Sequence, residues 1–287
     1  MQERGNCVIG VGPSRSDWPR DQTMWCVSLA LLLVVAASGA AQAAGSMTTP
    51  RRGPSATLLS DGTVLVAGGI SPDGFSRLAS AELYDPTTET FSSVGDMTTP
   101  RHWATATLLS DGRVLVVGGE GPGFLASAEI YDPATGTFSP TGSMSTPRAA
   151  HAATLLTDGT VLVAGGFFNN DVALASAEIY DPTTGTFSIT GSMATGRACH
   201  PATLLTHGTV LVAGGEHFLV PSPLASAEIY DPVTGTFSPT GSMATARGSD
   251  TATLLDHGTV LVAGGFNSQS KALASAEIYD PARGTWR

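Results

Sequence analysis

The apolar positions of residues 144–192 come in short runs divided by turn residues. Residues 152–156, Ala-Ala-Thr-Leu-Leu, predict a first strand, Thr157-Asp158-Gly159 a hairpin turn, and 160–164 a second strand closed by Gly165-Gly166. Asp-Gly between β-prone runs is a strong hairpin signal, because both central positions tolerate positive φ. Residues 175–180 predict a third strand, Asp181-Pro182-Thr183-Thr184-Gly185 a second turn, and 186–189 a fourth strand. The second strand, Val161-Leu162-Val163-Ala164, is apolar on both faces. A four-stranded antiparallel sheet of this kind must be covered on both sides.

The cover is provided by repetition. Gly-Gly pairs recur at 68–69, 118–119, 165–166, 214–215 and 264–265, and all five tyrosines (Tyr84, Tyr131, Tyr180, Tyr230, Tyr279) stand in Tyr-Asp-Pro. Phe91, Phe138, Phe187, Phe237 and Trp286 follow seven residues after each tyrosine, and each Phe lies 28 residues before the second Gly of the next pair. Only the stretch from Gly-Gly to Tyr changes length, at 15, 12, 14, 15 and 14 residues. Packed elements keep their register, so the segment free to vary is an exposed loop. Self-similarity at about 50 residues predicts sheets stacked radially as a β-propeller.

The Gly-Gly pair, the Tyr about fourteen residues on and the aromatic seven beyond resemble the kelch family, and no Trp-Asp dipeptide of the shorter WD40 repeat accompanies them. The resemblance covers 47–287 and implies an all-β, kelch-type β-propeller of five four-stranded blades: units 47–96, 97–143, 144–192, 193–242 and 243–287. Kelch propellers commonly have six or seven blades, so five units form either a tight ring or an incomplete one. Closure of the ring would rest on packing of unit five against unit one. For function the resemblance implies little, since the fold serves binding modules and sugar-active enzymes alike.

Successive antiparallel strands place the variable loops (70–78, 120–125, 167–174, 216–224 and 266–273) at the same end as the lead-in to each first strand. That end is where function is expected. Its loops carry Phe75, Phe124, Phe167, Phe168, Phe218 and Phe266, as contact surface or as small cores, together with Glu216 and His217. Each lead-in reads Met-x-x-x-Arg, giving Arg51, Arg101, Arg148, Arg197 and Arg247. A residue repeated in every unit is first of all architecture, and the repeated Glu82, Glu129, Glu178, Glu228 and Glu277 are expected partners. Left unpaired, the arginines would instead form a ring suited to a carboxylate or acidic sugar.

Seven residues after each Met the units differ: Pro54, Ala104, His151, His200, Asp250. Two histidines and a carboxylate form a metal set only if they face one another, so these are candidate binding residues and no metal or other cofactor is expected. His102 and Trp103 lie at the same end.

Composition narrows the partners. A net charge of −10 and a single lysine, Lys271, exclude the clustered cations that nucleic acid or an anionic membrane surface requires. Residues 1–43 predict a signal helix, with an apolar run at 27–37 and a small-x-small cleavage pattern at Ala41-Gln42-Ala43; Met24 is an alternative start, and an uncleaved anchor is the rival reading. The expected location is therefore secreted, periplasmic or cell-surface. Cys7 and Cys26 fall in this leader, which leaves Cys199 as an expected lone, buried thiol.

A copper oxidase like galactose oxidase would need spare tyrosine ligands, and every tyrosine here is used in the repeat. No Gly-x-Ser-x-Gly, Walker or His-Glu-x-x-His motif is present. Two expectations follow: a non-catalytic scaffold for a protein or glycan, or a sugar-directed enzyme, similar to the sialic-acid mutarotases of this fold, or a metal-dependent one at the channel mouth.

Overall fold

A computed structural model describes residues 45–168, 172–217 and 223–287. The leader and Phe218 lie outside the described residues. The described chain is all-β: five four-stranded sheets, each with its strands hydrogen-bonded in sequence order and antiparallel. Blade one comprises Ser55–Leu58, Val64–Ala67, Ala81–Asp85 and Thr90–Ser93. Blade three adds a short hairpin, Phe167–Phe168 with Val172–Ala173, inside its variable loop.

The register explains the repeat. Tyr180 stands opposite Phe187 across the third and fourth strands, and Val161 stands opposite Tyr180 across the second and third. The Tyr180 and Phe187 rings lie 4.8 Å apart and tilted, an arrangement repeated in every blade, with Trp286 as the partner of Tyr279 in the last. The apolar second strands sit between neighbours: Val161 and Val163 of blade three pack with Leu115, Val117 and Ile130 of blade two. Equivalent clusters join blades one and two, three and four, and four and five.

The first four Gly-Gly pairs work through backbone contact with the next blade. Gly166 donates to the carbonyl of Arg197 in the next blade at 2.9 Å, and Gly69, Gly119 and Gly215 do the same to Arg101, Arg148 and Arg247. A Cβ on Gly165 would lie 2.3 Å from the Arg197 carbonyl oxygen, and its φ of +68° is one that glycine adopts readily. Only glycine permits that approach.

No cluster joins blade five to blade one among the described residues. Met47 is half-buried, whereas Met97, Met144, Met193 and Met243 are each 4% exposed. Ala276 of blade five is exposed, whereas Ala81, Ala128, Ala177 and Ala227 are buried. Among the described residues, unit five and unit one share no such core cluster.

Candidate functional site

The variable loops and the lead-ins share one end of the propeller, as isolated bridges show: Arg52 with Ile70, His102 with Glu120, Ala149 with Phe167, Ala198 with Glu216, and Gly248 with Phe266. The repeated arginines lie just beneath, with both terminal guanidinium nitrogens of each hydrogen-bonded, while Nε of Arg51, Arg148, Arg197 and Arg247 has no partner among the described residues. Arg148 donates to the carbonyls of Gly165 and Ser176, to Ser176 Oγ, and to Glu178 Oε1 at 3.0 Å. Glu178 in turn accepts from the backbone N–H of Ser145 and Thr146. The same ion pair recurs as Arg51–Glu82, Arg101–Glu129, Arg197–Glu228 and Arg247–Glu277, with the arginine side chains at most 1% exposed.

Each pair therefore ties a lead-in to its own blade's second and third strands. Burial pushes the Glu82 carboxyl up, but the N–H of Thr48 and the Arg51 guanidinium outweigh it, and its pKa ends below the usual range. Arg101, Arg148, Arg197 and Arg247 are thus framework residues. An open ring of guanidiniums does not exist.

Above the arginines runs a backbone collar. The residue six after each Met is left-handed in every blade: Gly53, Trp103, Ala150, Cys199 and Ser249, with φ between +49° and +58°. From blade three onward each donates to the one before: Ala150 to Trp103 at 3.0 Å, Cys199 to Ala150 at 2.9 Å, Ser249 to Cys199 at 3.0 Å. Four non-glycine residues held in this conformation represent stored strain, which clusters at functional sites. Cys199 is disulfide-bonded, which corrects the expectation of a lone thiol.

The next residue in each blade turns inward between blades. A Cβ on Gly118 would meet His151 at 2.7 Å, one on Gly165 would meet His200 at 2.6 Å, and one on Gly214 would meet Asp250 at 2.9 Å. His151 shares a hydrogen bond with Thr105 of blade two at 2.8 Å. The residue at that place is Ala152 for His200 and Pro201 for Asp250. Accordingly both ring nitrogens of His200 and both carboxyl oxygens of Asp250 are buried without a well-formed hydrogen bond.

Burial lowers the pKa of His151 to about 3 and that of His200 well below the usual value. It raises that of Asp250 to about 8, with the nearby Arg247 and Arg197 charges offsetting only part. All three groups are therefore neutral near pH 7. Among the described residues no three His, Cys, Asp or Glu side chains group closely enough to hold a metal, so His151, His200 and Asp250 do not form that set.

The surface above differs between the two halves of the ring. Over blades three and four, Phe167 is fully buried against Ala150, Ala198 and Cys199 as a small core that Trp103 and Phe124 border. Phe168 is half-buried, 6.5 Å from Phe124. Over blades one and two, His102 and Trp103 stack at 4.4 Å, Arg77 pairs with Glu120 and donates to the carbonyl of Phe75, and the Phe75 ring is 74% exposed.

The His102 pKa is lowered to about 4, first by burial and then by the Arg77 and Arg52 charges. Arg52 makes no ion pair among the described residues, and its guanidinium lies beside Gly74. Arg52 and Arg77 escaped the reading from sequence. Comparing copies five residues after each Met (Arg52, His102, Ala149, Ala198, Gly248) separates blades one and two from the rest. Glu216 is half-buried, with its pKa raised by burial to about 7, and His217 bonds the Gly196 carbonyl through Nδ1 at 2.9 Å.

A search of the curated proteins by sequence found no match. Among solved structures, the chain is similar to one titled "Structure of YjhT", with a TM-score of 0.71 over 83% of this chain and 84% of that one, at 15% identity. The family model described as Kelch motif matches residues 51–98, 105–145, 148–194, 197–244 and 247–287. Five motif matches on five four-stranded blades place the chain in the kelch repeat family as a β-propeller.

Proposed function

We propose that this propeller is an exported, non-catalytic binding scaffold that holds a protein or glycan at its variable-loop end, centred over blades one and two. One observation carries the reading: with the repeated arginines held in the framework, the variable-loop end over blades one and two keeps the exposed Phe75, the stacked Trp103, Arg52 and the Arg77–Glu120 pair. Aromatic faces flanked by guanidiniums suit sugar rings with acidic substituents, and equally the aromatic and arginine anchors of protein contacts. Export rests on the leader read at residues 1–43. A glycan array combined with pull-down from extracellular material tests the proposal. Binding that is lost in Arg52→Ala and Trp103→Gly supports it, and binding unaffected by both would remove it.

A second reading has its own support. His200 and Asp250, buried, without well-formed hydrogen bonds and strongly shifted, have the character of groups tuned for proton transfer. A mutarotase-like activity on sugars would follow. Its signature is catalysed anomer exchange, followed by NMR, that disappears in His200→Ala.

A further inference from the structure

We infer that the Glu216 carboxylate, lying over the junction of blades four and five, is a receptor for a guanidinium carried by a partner polypeptide. The site stands apart from the surface over blades one and two. The repeat itself shows what such a carboxylate takes. Among the described residues the framework glutamates each hold an arginine, and Glu120 holds Arg77. Of the remaining two glutamates, Glu89 stands in a turn at the opposite end. Glu216, half-buried at the loop end, has neither an ion pair nor a side-chain hydrogen bond among the described residues.

Glu216 and Glu120 occupy the same place, the first residue of the variable loop, where blades one, three and five carry Ile70, Phe167 and Phe266. From there the side chain leans onto the lead-in of the next blade: Phe167 packs on Ala198 of blade four, and Glu216 lies on Gly248 of blade five. A Cβ on Gly248 would sit 2.5 Å from Cγ of Glu216 and 2.7 Å from its Oε1. The other lead-ins carry Arg52, His102, Ala149 and Ala198 at that position, so glycine makes the seat for this carboxyl.

Glu120 is neutralised from the preceding blade, by Arg77 near the end of the blade-one loop, where Arg77 bridges to Ile70. The same place in the blade before Glu216 is Ala173, which bridges to Phe167 and offers no charge. The half of the pair that the chain supplies to Glu120 is thus missing for Glu216. No other cation stands in: burial is the one cause that raises the Glu216 pKa to about 7, with no nearby positive charge to lower it. His217 bonds instead to the Gly196 carbonyl through Nδ1.

The chemistry of the seat selects the cation. A divalent metal needs several oxygen ligands, and among the described residues no three His, Cys, Asp or Glu side chains come together. A guanidinium needs one carboxylate, meets it with two parallel N–H bonds, and is weakly hydrated enough to enter a half-buried seat. Ala198 joins the seat to the Phe167 core, since it bridges to Glu216 and packs on Phe167. Apolar surface therefore adjoins the carboxyl, as the methylenes of an arginine arm require.

The probe is Nα-acetyl-arginine amide added to the full chain, with the citrulline amide as its uncharged isostere, and carbon NMR of the Glu216 carboxyl reads its titration. The arginine amide is predicted to lower the Glu216 titration midpoint and the citrulline amide to leave it in place, a readout that needs no variant. Glu216→Gln keeps the shape and removes the charge. It is predicted to fold with an unchanged or higher melting temperature and to weaken binding of the arginine amide by about tenfold or more at pH 8. Asp111→Asn, at the opposite end, should bind like the parent. The inference fails if the arginine amide leaves the Glu216 midpoint unmoved, if the citrulline amide moves it equally, or if Glu216→Gln binds like the parent.

Discussion

The hydroxyls of Thr141 and Tyr180 share a hydrogen bond of 2.8 Å across the boundary between blades two and three. Thr190 with Tyr230 and Thr240 with Tyr279 repeat it at the next two boundaries. At the first boundary Val94 takes the threonine's place, and the Tyr131 hydroxyl is buried without a partner. Val94→Thr should therefore supply the missing bond and stabilise the fold by about 1 kcal/mol, measured by urea unfolding. A neutral or destabilising result would mean that Val94 contributes more as an apolar contact than Thr can return.

Blade one departs from the repeat a second time at Glu89, which has φ +56° where Gly136, Gly185, Gly235 and Gly284 stand in the other blades. Left-handed geometry costs a non-glycine residue roughly 1–2 kcal/mol, partly offset by the greater chain entropy that glycine loses on folding. Glu89→Gly is expected to raise the melting temperature slightly, and a scanning calorimeter resolves the change.

Breaking one buried ion pair should be severe. Arg148 and Glu178 are 0% and 2% exposed, and removing the arginine leaves a buried carboxylate without its counter-charge, held only by the N–H groups of Ser145 and Thr146. Arg148→Met is expected to cost about 3–5 kcal/mol. Measured by denaturant unfolding, a loss below about 1 kcal/mol would show that the pair does not hold the lead-in.

The buried Asp250 and His151 give a pH dependence of definite sign. Asp250 has its pKa raised to about 8, so between its unfolded value near 3.8 and about 8 the unfolded chain releases a proton that the folded one keeps. Stability falls as pH rises through that window. His151 is lowered to about 3, so below its unfolded value near 6.5 the unfolded chain binds a proton that the folded one refuses, and stability falls as pH drops towards 3. Asp250→Asn should flatten the alkaline limb and leave the acid limb, read from unfolding midpoints between pH 4 and pH 9.

Much of this architecture was legible in the chain because blade geometry is set by local, repeated chemistry. The glycine of the first turn, which follows Asp in three units and His in two, Gly-Gly and Tyr paired with an aromatic seven residues on are each dictated within one unit, so five copies read alike. The Arg–Glu lock was foreseeable for the same reason. The lack of a core cluster shared by blades five and one among the described residues was not, because closure depends on the accumulated angle between blades and no single residue encodes it. Phe75 and Phe167 look alike as loop aromatics, yet one is exposed and the other fills a small core. What separates them is Ala149, Ala150 and Ala198, small residues in neighbouring lead-ins that leave room for Phe167.

The loop-end binding site is tested most directly by comparing three proteins on one glycan array and in one pull-down: the parent, Trp103→Gly and Asp111→Asn. Trp103 has φ +56° in the collar, a conformation glycine accepts without strain, so the first variant removes the ring and keeps the backbone. Asp111 lies in a hairpin turn at the opposite end. The prediction is a partner bound by the parent and by Asp111→Asn and released by Trp103→Gly. Retention by Trp103→Gly with loss in Asp111→Asn would place the partner at the turn end and contradict the assignment.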